Sequence, residues 1–303
     1  MNWFLLAFIS AVFSAVSAVS EKKVLFSLDA INFSFLISII TLVFSIPFFG
    51  MINYADISSL NMVILFLKTI LNAAAFLFVM LSIKNLEISE ALPLLALTPG
   101  SVAIAGVLLI NDSLTGFEWF GIFLMLAGTY ILEAHPNPSQ NEGQLKTPGN
   151  FFKPFTALFR SSKYSYVVMA LILFTATSLL DRVLLKDYNL PPYTFMAFQQ
   201  LFYAFIFAVV VLIKNKSITQ PFNELTKKTF YLIIIISVFT VIYRYTQIEA
   251  TKLAPVALVL SVKRLSVLFA MILGGKLFSE DKLVRRVIAA LIILTGTVIL
   301  LNQ

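Results

Sequence analysis

The chain has 303 residues, of which 59% are hydrophobic and only 12% charged, and its mean hydropathy is +0.93. That much apolar surface exceeds what a soluble domain buries, so the class is a polytopic membrane protein. Cysteine is absent and the one histidine, His135, lies in a polar stretch, which excludes disulfides, Cys/His metal sites and a membrane-embedded histidine triad. The net charge of +7 falls mostly in short loops, where cations orient helices rather than bind nucleic acid.

A bilayer core of about 30 Å needs about 20 apolar residues per helix. Ten stretches qualify. The first, Trp3 to Ser20, lacks a basic n-region and reads as a span rather than a cleaved signal. It ends at Glu21-Lys22-Lys23. The second is Ile31 to Phe49. The third, Met62 to Ile83, contains Lys68 and Asn72. The fourth, Ala91 to Ile110, contains Pro99-Gly100, read as a break or, more simply, a kink. The fifth is Phe117 to Leu132.

Residues 133–163 are rich in Pro, Asn, Gln, Ser and Lys and read as a linker. Its Phe151 to Arg160 portion reads equally as an interfacial helix or a loop. The sixth span, Tyr164 to Leu185, carries Asp181-Arg182. The seventh, Tyr193 to Ile213, carries Gln199, Gln200 and Tyr203. The eighth, Phe230 to Ala250, carries Tyr243, Arg244, Gln247 and Glu249. The ninth, Ala254 to Gly275, reads as one helix with Lys263-Arg264 near its middle, and the tenth is Val287 to Leu301.

The two halves superpose. Leu92 falls on Leu260, Gly106 on Gly274, Asp112 on Glu280, and Gly128-Thr129 on Gly296-Thr297, all at one offset. The expected fold is therefore all-α: ten transmembrane helices as two five-helix repeats, 1–132 and 164–303. An odd number of spans per unit inverts the second unit, an arrangement that places binding sites at the midplane of secondary transporters. Gly121 and Gly128 match Ala289 and Gly296 and read as helix-packing positions.

A charge at mid-membrane costs about 2.5–3.5 kcal/mol on insertion scales. Lys263 and Arg264 need a compensating partner, water or an anionic substrate. At about 1.5 Å per residue, Lys68, Gln199 and Arg244 share a depth on the side that bears both termini. Lys68 and Asn72 share a helical face, as do Tyr243 and Gln247, and Gln199 and Tyr203. The expected substrate-binding set is Lys263, Arg264, Arg244, Lys68, Asn72, Gln199, Gln200, Tyr203, Tyr243 and Gln247. Asp181 and Glu249 are candidates for a counter-charge or a coupling proton, although Asp181 also has Arg182 beside it and Glu249 lies near its helix end.

These features together resemble the drug/metabolite transporter superfamily, EamA type: five-plus-five spans, the acids Asp112 and Glu280 before the last helix of each unit, the two Gly-Thr endings, and the Leu-Ala-Pro entry to the ninth helix at 253–255. The resemblance covers the chain except 133–163. It implies a secondary transporter working by alternating access. The Lys263-Arg264 pair is similar to the phosphate-binding pair of triose-phosphate/phosphate translocators, which implies that these two residues bind a phosphate- or carboxylate-bearing metabolite.

An exporter of neutral or zwitterionic metabolites such as amino acids is the second reading. A non-transporting scaffold or receptor is the third. An enzyme would need a nucleophile–base pair, a metal site or paired acids in the membrane, and the sequence offers no such set. The expected partners are a small-molecule substrate, the lipid bilayer and a coupling proton, with no cofactor and no nucleic acid, in a monomer or homodimer. Loop cations such as Lys22, Lys23, Lys214, Lys227 and Lys228 place both termini outside by the positive-inside rule, whereas relatives by resemblance keep them inside. Lacking a transit peptide, the chain is expected in a prokaryotic inner membrane.

Overall fold

The computed structural model describes residues 2–25, 27–54, 57–85, 95, 97–133, 165–215, 217–275 and 283–301. Among these, all regular structure is helical and no strand occurs. In chain order the helices are α1 (Trp3–Leu25), α2 (Ala30–Phe49), α3 (Ser59–Asn85), α4 (Thr98–Ile110), α5 (Gly116–Glu133), α6 (Ser165–Arg182), α7 (Pro192–Asn215), α8 (Lys227–Leu253), α9 (Val256–Lys263), α10 (Leu265–Gly275) and α11 (Leu283–Leu301). A π-helical turn, Val183–Asp187, extends α6, and a short turn, Gln220–Asn223, precedes α8. Beyond Glu133 the expected linker, with Phe151 to Arg160, lies outside the described residues, as does Glu280.

Among the described residues, six helices are long and apolar enough to cross a membrane, those built on α1, α2, α3, α6, α7 and α8. The fourth expected span is described only from its middle onward, and the ninth differs from the sequence reading. Pro99 lies in the first turn of α4, where its missing N–H removes no helical bond. It stands at the start of the described helix, and residues 91–94 and 96 of the expected span lie outside the description. The ninth span is divided at Arg264. Its N–H donates to Ser261 O at 2.9 Å and Leu260 O at 3.2 Å, a tightened turn between α9 and α10. Lys263 thereby becomes the last residue of α9, where a cation offsets the negative helix end.

The chain forms two compact units. One comprises Met1–Ala73 and Leu180–Glu280, the other Ala74–Leu179 and Asp281–Gln303.

In the first unit α1 packs along α8, α9 and α10, and α2 packs against α7 and α8. The approach of α1 follows from its sequence: Ala7, Ala11 and Ala15, one turn apart, are fully buried, and small side chains let helix axes draw close. Leu65, Leu184, Leu185, Phe195, Met196 and Ile248 form a shared core. The ring of Phe48 stacks on Tyr245 with centroids 5.0 Å apart. At one end Asp29 caps α2 by accepting from Ile31 N–H at 3.1 Å and pairs with Lys214 of α7.

In the second unit α5 crosses α11 at backbone contact. A Cβ on Gly128 would lie 2.6 Å from Ile293 Cγ1 and 3.0 Å from Ala289 O. One on Gly296 would lie 2.9 Å from Gly121 O. Gly121 thus opposes Gly296 while Gly128 opposes Ala289, so the two helices run antiparallel. Thr115 and Glu118 start α5 with a reciprocal capping box: Thr115 N–H donates to Glu118 Oε2 at 2.6 Å, and Glu118 N–H to Thr115 Oγ1 at 3.2 Å. Asp112 is buried, and its N–H closes α4 by donating to Gly106 O at 3.1 Å.

Candidate substrate site

The ionisable residues of the expected substrate site lie within the first unit. Lys68 on α3 is fully buried. Its Nζ is 2.6 Å from Asp181 Oδ1 and 4.9 Å from the centre of the Phe195 ring. A carboxylate on one side and an aromatic face on the other compensate the ammonium for lost water. Sequence adjacency suggests an Asp181–Arg182 pair. In the structure Asp181 reaches across to Lys68, and Arg182 Nη1 donates to Thr251 O at 2.6 Å and Lys252 O at 2.9 Å. Those carbonyls end α8, a favourable place for a cation. The π turn begins immediately after Arg182.

A second cluster joins α7, α8 and α9. Lys263 Nζ donates to Gln247 Oε1 at 2.6 Å. Arg244 Nη1 approaches the same oxygen at 3.4 Å, and Arg244 Nη2 donates to Gln199 Oε1 at 3.2 Å. The Lys263 ammonium also sits 4.9 Å from the Tyr243 ring centre. Two basic side chains therefore converge on one neutral amide oxygen. Among the described residues no carboxylate comes within ion-pairing distance of Arg244 or Lys263. Gln199 is fully buried, and among the described residues its Nε2 has no hydrogen-bond acceptor. Arg264, Arg244 and Asp181 all lie within electrostatic range of Lys263.

Of the expected set, Lys263, Arg244, Gln199, Gln247 and Tyr243 meet directly, and Arg264 adjoins them. Tyr203 stacks on Phe207 at 6.2 Å and lies within electrostatic range of Arg244 and Tyr243. Gln200 is buried and turns to Met196 Sδ at 3.7 Å, a packing contact. Asn72 is half-buried and makes no hydrogen bond to the cluster among the described residues. Glu249 accepts from Tyr245 Oη at 2.8 Å on its own helix.

One residue escaped the sequence reading. Glu21 was placed at the end of the first span, but α1 continues to Leu25. Glu21 is thus inside the helix and partly buried, and it accepts from Ser17 Oγ at 2.8 Å. Lys263 and Tyr243 are within its electrostatic range. The signal was present: Ser10, Ser14, Ser17 and Glu21 recur at helical spacing along one face. Ser10 fixes that face by donating to Tyr243 O at 2.8 Å.

The EamA-like transporter family model matches residues 1–133 and 161–302. The chain belongs to this family. No curated protein matches the sequence. A solved structure, described as a crystal structure of a protein, is similar with a TM-score of 0.74 and 14% identity, covering 98% of this chain and 95% of its own. That likeness extends the shared fold to nearly the whole chain. This EamA-like chain is accordingly an integral, multi-pass membrane transporter of small molecules within the drug/metabolite transporter superfamily, and the family's members are transporters rather than enzymes. Among the described residues no group of three or more His, Asp or Glu is placed to hold a metal ion.

Proposed function

We propose that this chain is a secondary active transporter of a small polar metabolite bearing a phosphate or carboxylate, moved by alternating access across a prokaryotic inner membrane. The observation that carries this reading is the convergence of Arg244 and Lys263 on Gln247 Oε1. A single neutral acceptor offers only a partial charge to two basic side chains. An anion entering between them gains both, with the planar Arg244 fork taking two oxygens and Lys263 a third. Gln199 Nε2, buried without an acceptor, supplies a further donor. Leaving a buried donor unpaired costs about 1–3 kcal/mol, which a substrate oxygen recovers. The Lys263-Arg264 likeness to the triose-phosphate/phosphate translocators supports the same ligand chemistry.

The site belongs to a ten-helix fold built as two inverted five-helix repeats, 1–132 and 164–303, joined by the linker 133–163. The two separate stretches matched by the family model support this division. So does the α5–α11 crossing. Under the repeat alignment Gly121 corresponds to Ala289 and Gly128 to Gly296, and the observed contacts are Gly121 to Gly296 and Gly128 to Ala289. Partners exchanged in this way are what a two-fold relation between repeats produces.

The test is thermal stability of the purified chain against phosphates, carboxylates and amino acids. A ligand that binds only the folded state raises stability, by about 2.7 kcal/mol at one hundred times its Kd. Stabilisation by one anion class, lost in Lys263→Gln and Arg264→Gln, is the expected result. Stabilisation by amino acids alone, or by anions equally in both variants, overturns it.

A further inference from the structure

We propose that the buried Lys68–Asp181 pair is the proton-coupling site: a proton on Asp181 frees Lys68 for the substrate anion, and each anion bound brings that proton with it. This rests on the anion site proposed above and adds Lys68 to it. Lys68 Nζ lies 2.6 Å from Asp181 Oδ1. The contact is one of charge, since among the described residues neither atom completes a hydrogen bond. The ammonium therefore keeps donors for an oxygen it does not yet hold. Access is one-sided. The Lys68 side chain is 0% exposed and that of Asp181 16%, so a proton reaches the pair at the carboxylate.

Packing brings the pair to the anion site. Leu65 of α3, Leu184 of the π turn, Phe195 of α7 and Ile248 of α8 share one core. They lie within about one turn of Lys68, Asp181, Gln199 and Gln247 respectively. The link is closest at Phe195. Its ring centre is 4.9 Å from Lys68 Nζ. One turn along the same face of α7 stands Gln199, which accepts from Arg244 Nη2 at 3.2 Å. Lys68 and Arg244 thus address adjacent turns of one helix.

The other titratable groups on the packed helices have their own places. On α6 Arg182 turns to the carbonyls that end α8, and on the π turn Lys186 and Asp187 are exposed. From α7 come Tyr193 and Tyr203. From α8 come Tyr243, Arg244 and the Tyr245–Glu249 pair, and Lys263 and Arg264 close α9. Glu21 on α1 accepts from Ser17, and Asp29 on α2 holds Lys214. Among the described residues Asp181 is the one carboxylate ion-paired with a fully buried cation.

The coupling is reciprocal. Protonation forms an O–H bond on the Asp181 carboxylate, with the proton from water, and dissolves the ion contact. Lys68 is then a buried cation without a counter-charge, a costly state unless an anion replaces the carboxylate. A substrate oxygen on Lys68, with Arg244 beside it, does so. The empty site keeps Asp181 ionised and the filled site keeps it protonated. By linkage the proton tightens anion binding by the same factor as the anion tightens proton binding. Both leave when the site opens to the other side.

The experiment is calorimetric titration of the full-length chain with sulfate and with glycolate, neither of which titrates near neutrality. It is run at pH 7 in two buffers of different ionisation heat, whose difference counts protons taken up per anion bound. The wild type is expected to take up close to one. Asp181→Asn, a mimic of the protonated acid, is expected to bind about tenfold tighter with that proton missing from the count, a coupling of ordinary size. Lys68→Met combined with Asp181→Asn leaves no charge of the pair behind, and so reports even where the single variant fails to fold. It is expected to bind through Arg244 and Lys263, again with that proton missing. Anion binding by the wild type without proton uptake, or uptake undiminished in the double variant, overturns the role of Asp181 and leaves the anion site standing. Failure of both anions to bind the wild type overturns the site and the coupling together.

Discussion

The two units use opposite solutions to the same problem of holding helices together in an apolar solvent. The first encloses charge: Lys68 and Arg182 are buried, with Gln199, Gln200 and Gln247 beside them. The second brings backbones together through residues that have no side chain, and among its described residues Asp112 is the one buried charge. A buried cation must have a partner, so it specifies which helix comes near and tolerates no loss of that partner. A glycine contact carries no chemistry and tolerates no added volume. The first arrangement gives a site that a ligand can rearrange. The second gives a crossing with nothing for a ligand to grip.

If that contrast holds, the two units break by different substitutions. The largest effect belongs to Asp181→Asn, which leaves the Lys68 ammonium buried without its carboxylate. Removing one member of a buried pair costs about 3–5 kcal/mol. Unfolding in detergent should show a loss of that order, and Lys68→Met combined with Asp181→Asn should recover most of it. Equal losses in the single and double variants would mean that the side-chain volume of Lys68, rather than its charge, matters.

Next come the glycines. Gly128→Ala and Gly296→Ala place a methyl against backbone atoms, at 3.0 Å from Ala289 O and 2.9 Å from Gly121 O. Overpacking of this kind costs about 1–3 kcal/mol. Stability should fall while anion affinity per folded molecule stays constant. Gly116→Ala meets nothing within 4 Å and should leave stability unchanged or slightly raised, because alanine favours helix over glycine.

Much of this was legible in the sequence. Helix positions followed from apolar runs, because a bilayer allows few backbone solutions. The exchange of partners between Gly121, Gly128, Ala289 and Gly296 was foreshadowed by their alignment in the repeat. Five of the expected site residues meet because depth along a helix is readable from residue number. Direction around the helix was harder. Gln200 lies at a suitable depth but turns to Met196. The tightened turn at Arg264 left no sign in composition, since its residues are ordinary helix formers. Glu21 was misplaced because its Lys-Lys neighbours look like a loop, while the serine stripe that carries it inward is polar too weakly to register in hydropathy.

A third substitution sharpens the contrast inside the first unit. Gln247→Glu turns the shared neutral oxygen into a full counter-charge for Arg244 and Lys263. The chain without ligand should become more stable, because charge-assisted bonds replace neutral ones. Anion binding should weaken about tenfold or more, since the cations no longer need the ligand. Thermal shifts with and without anion measure both changes at once. A variant that is stabilised yet binds anions as before would place the anion away from Gln247.

The smallest effect tests whether burial is what gives charge its weight here. Asp29 and Lys214 form an ion pair whose side chains are 52% and 39% exposed. Partial burial pushes the Asp29 carboxyl up, but the hydrogen bond and charge of Lys214, with the Ile31 N–H, outweigh it and leave the group below the usual carboxylate range. Its stabilising contribution is therefore complete above the unfolded value of about 3.9 and is lost as pH falls through the lower folded value. Asp29→Asn retains an N-cap and removes only the charge. The variant should be slightly less stable than the wild type at pH 6, and the gap should shrink as pH falls below about 3.9 and also in high salt, as for an exposed pair. A gap as large as that from Asp181→Asn, or one indifferent to salt, would break the comparison, because charge in this unit would then count the same at the rim as in the interior.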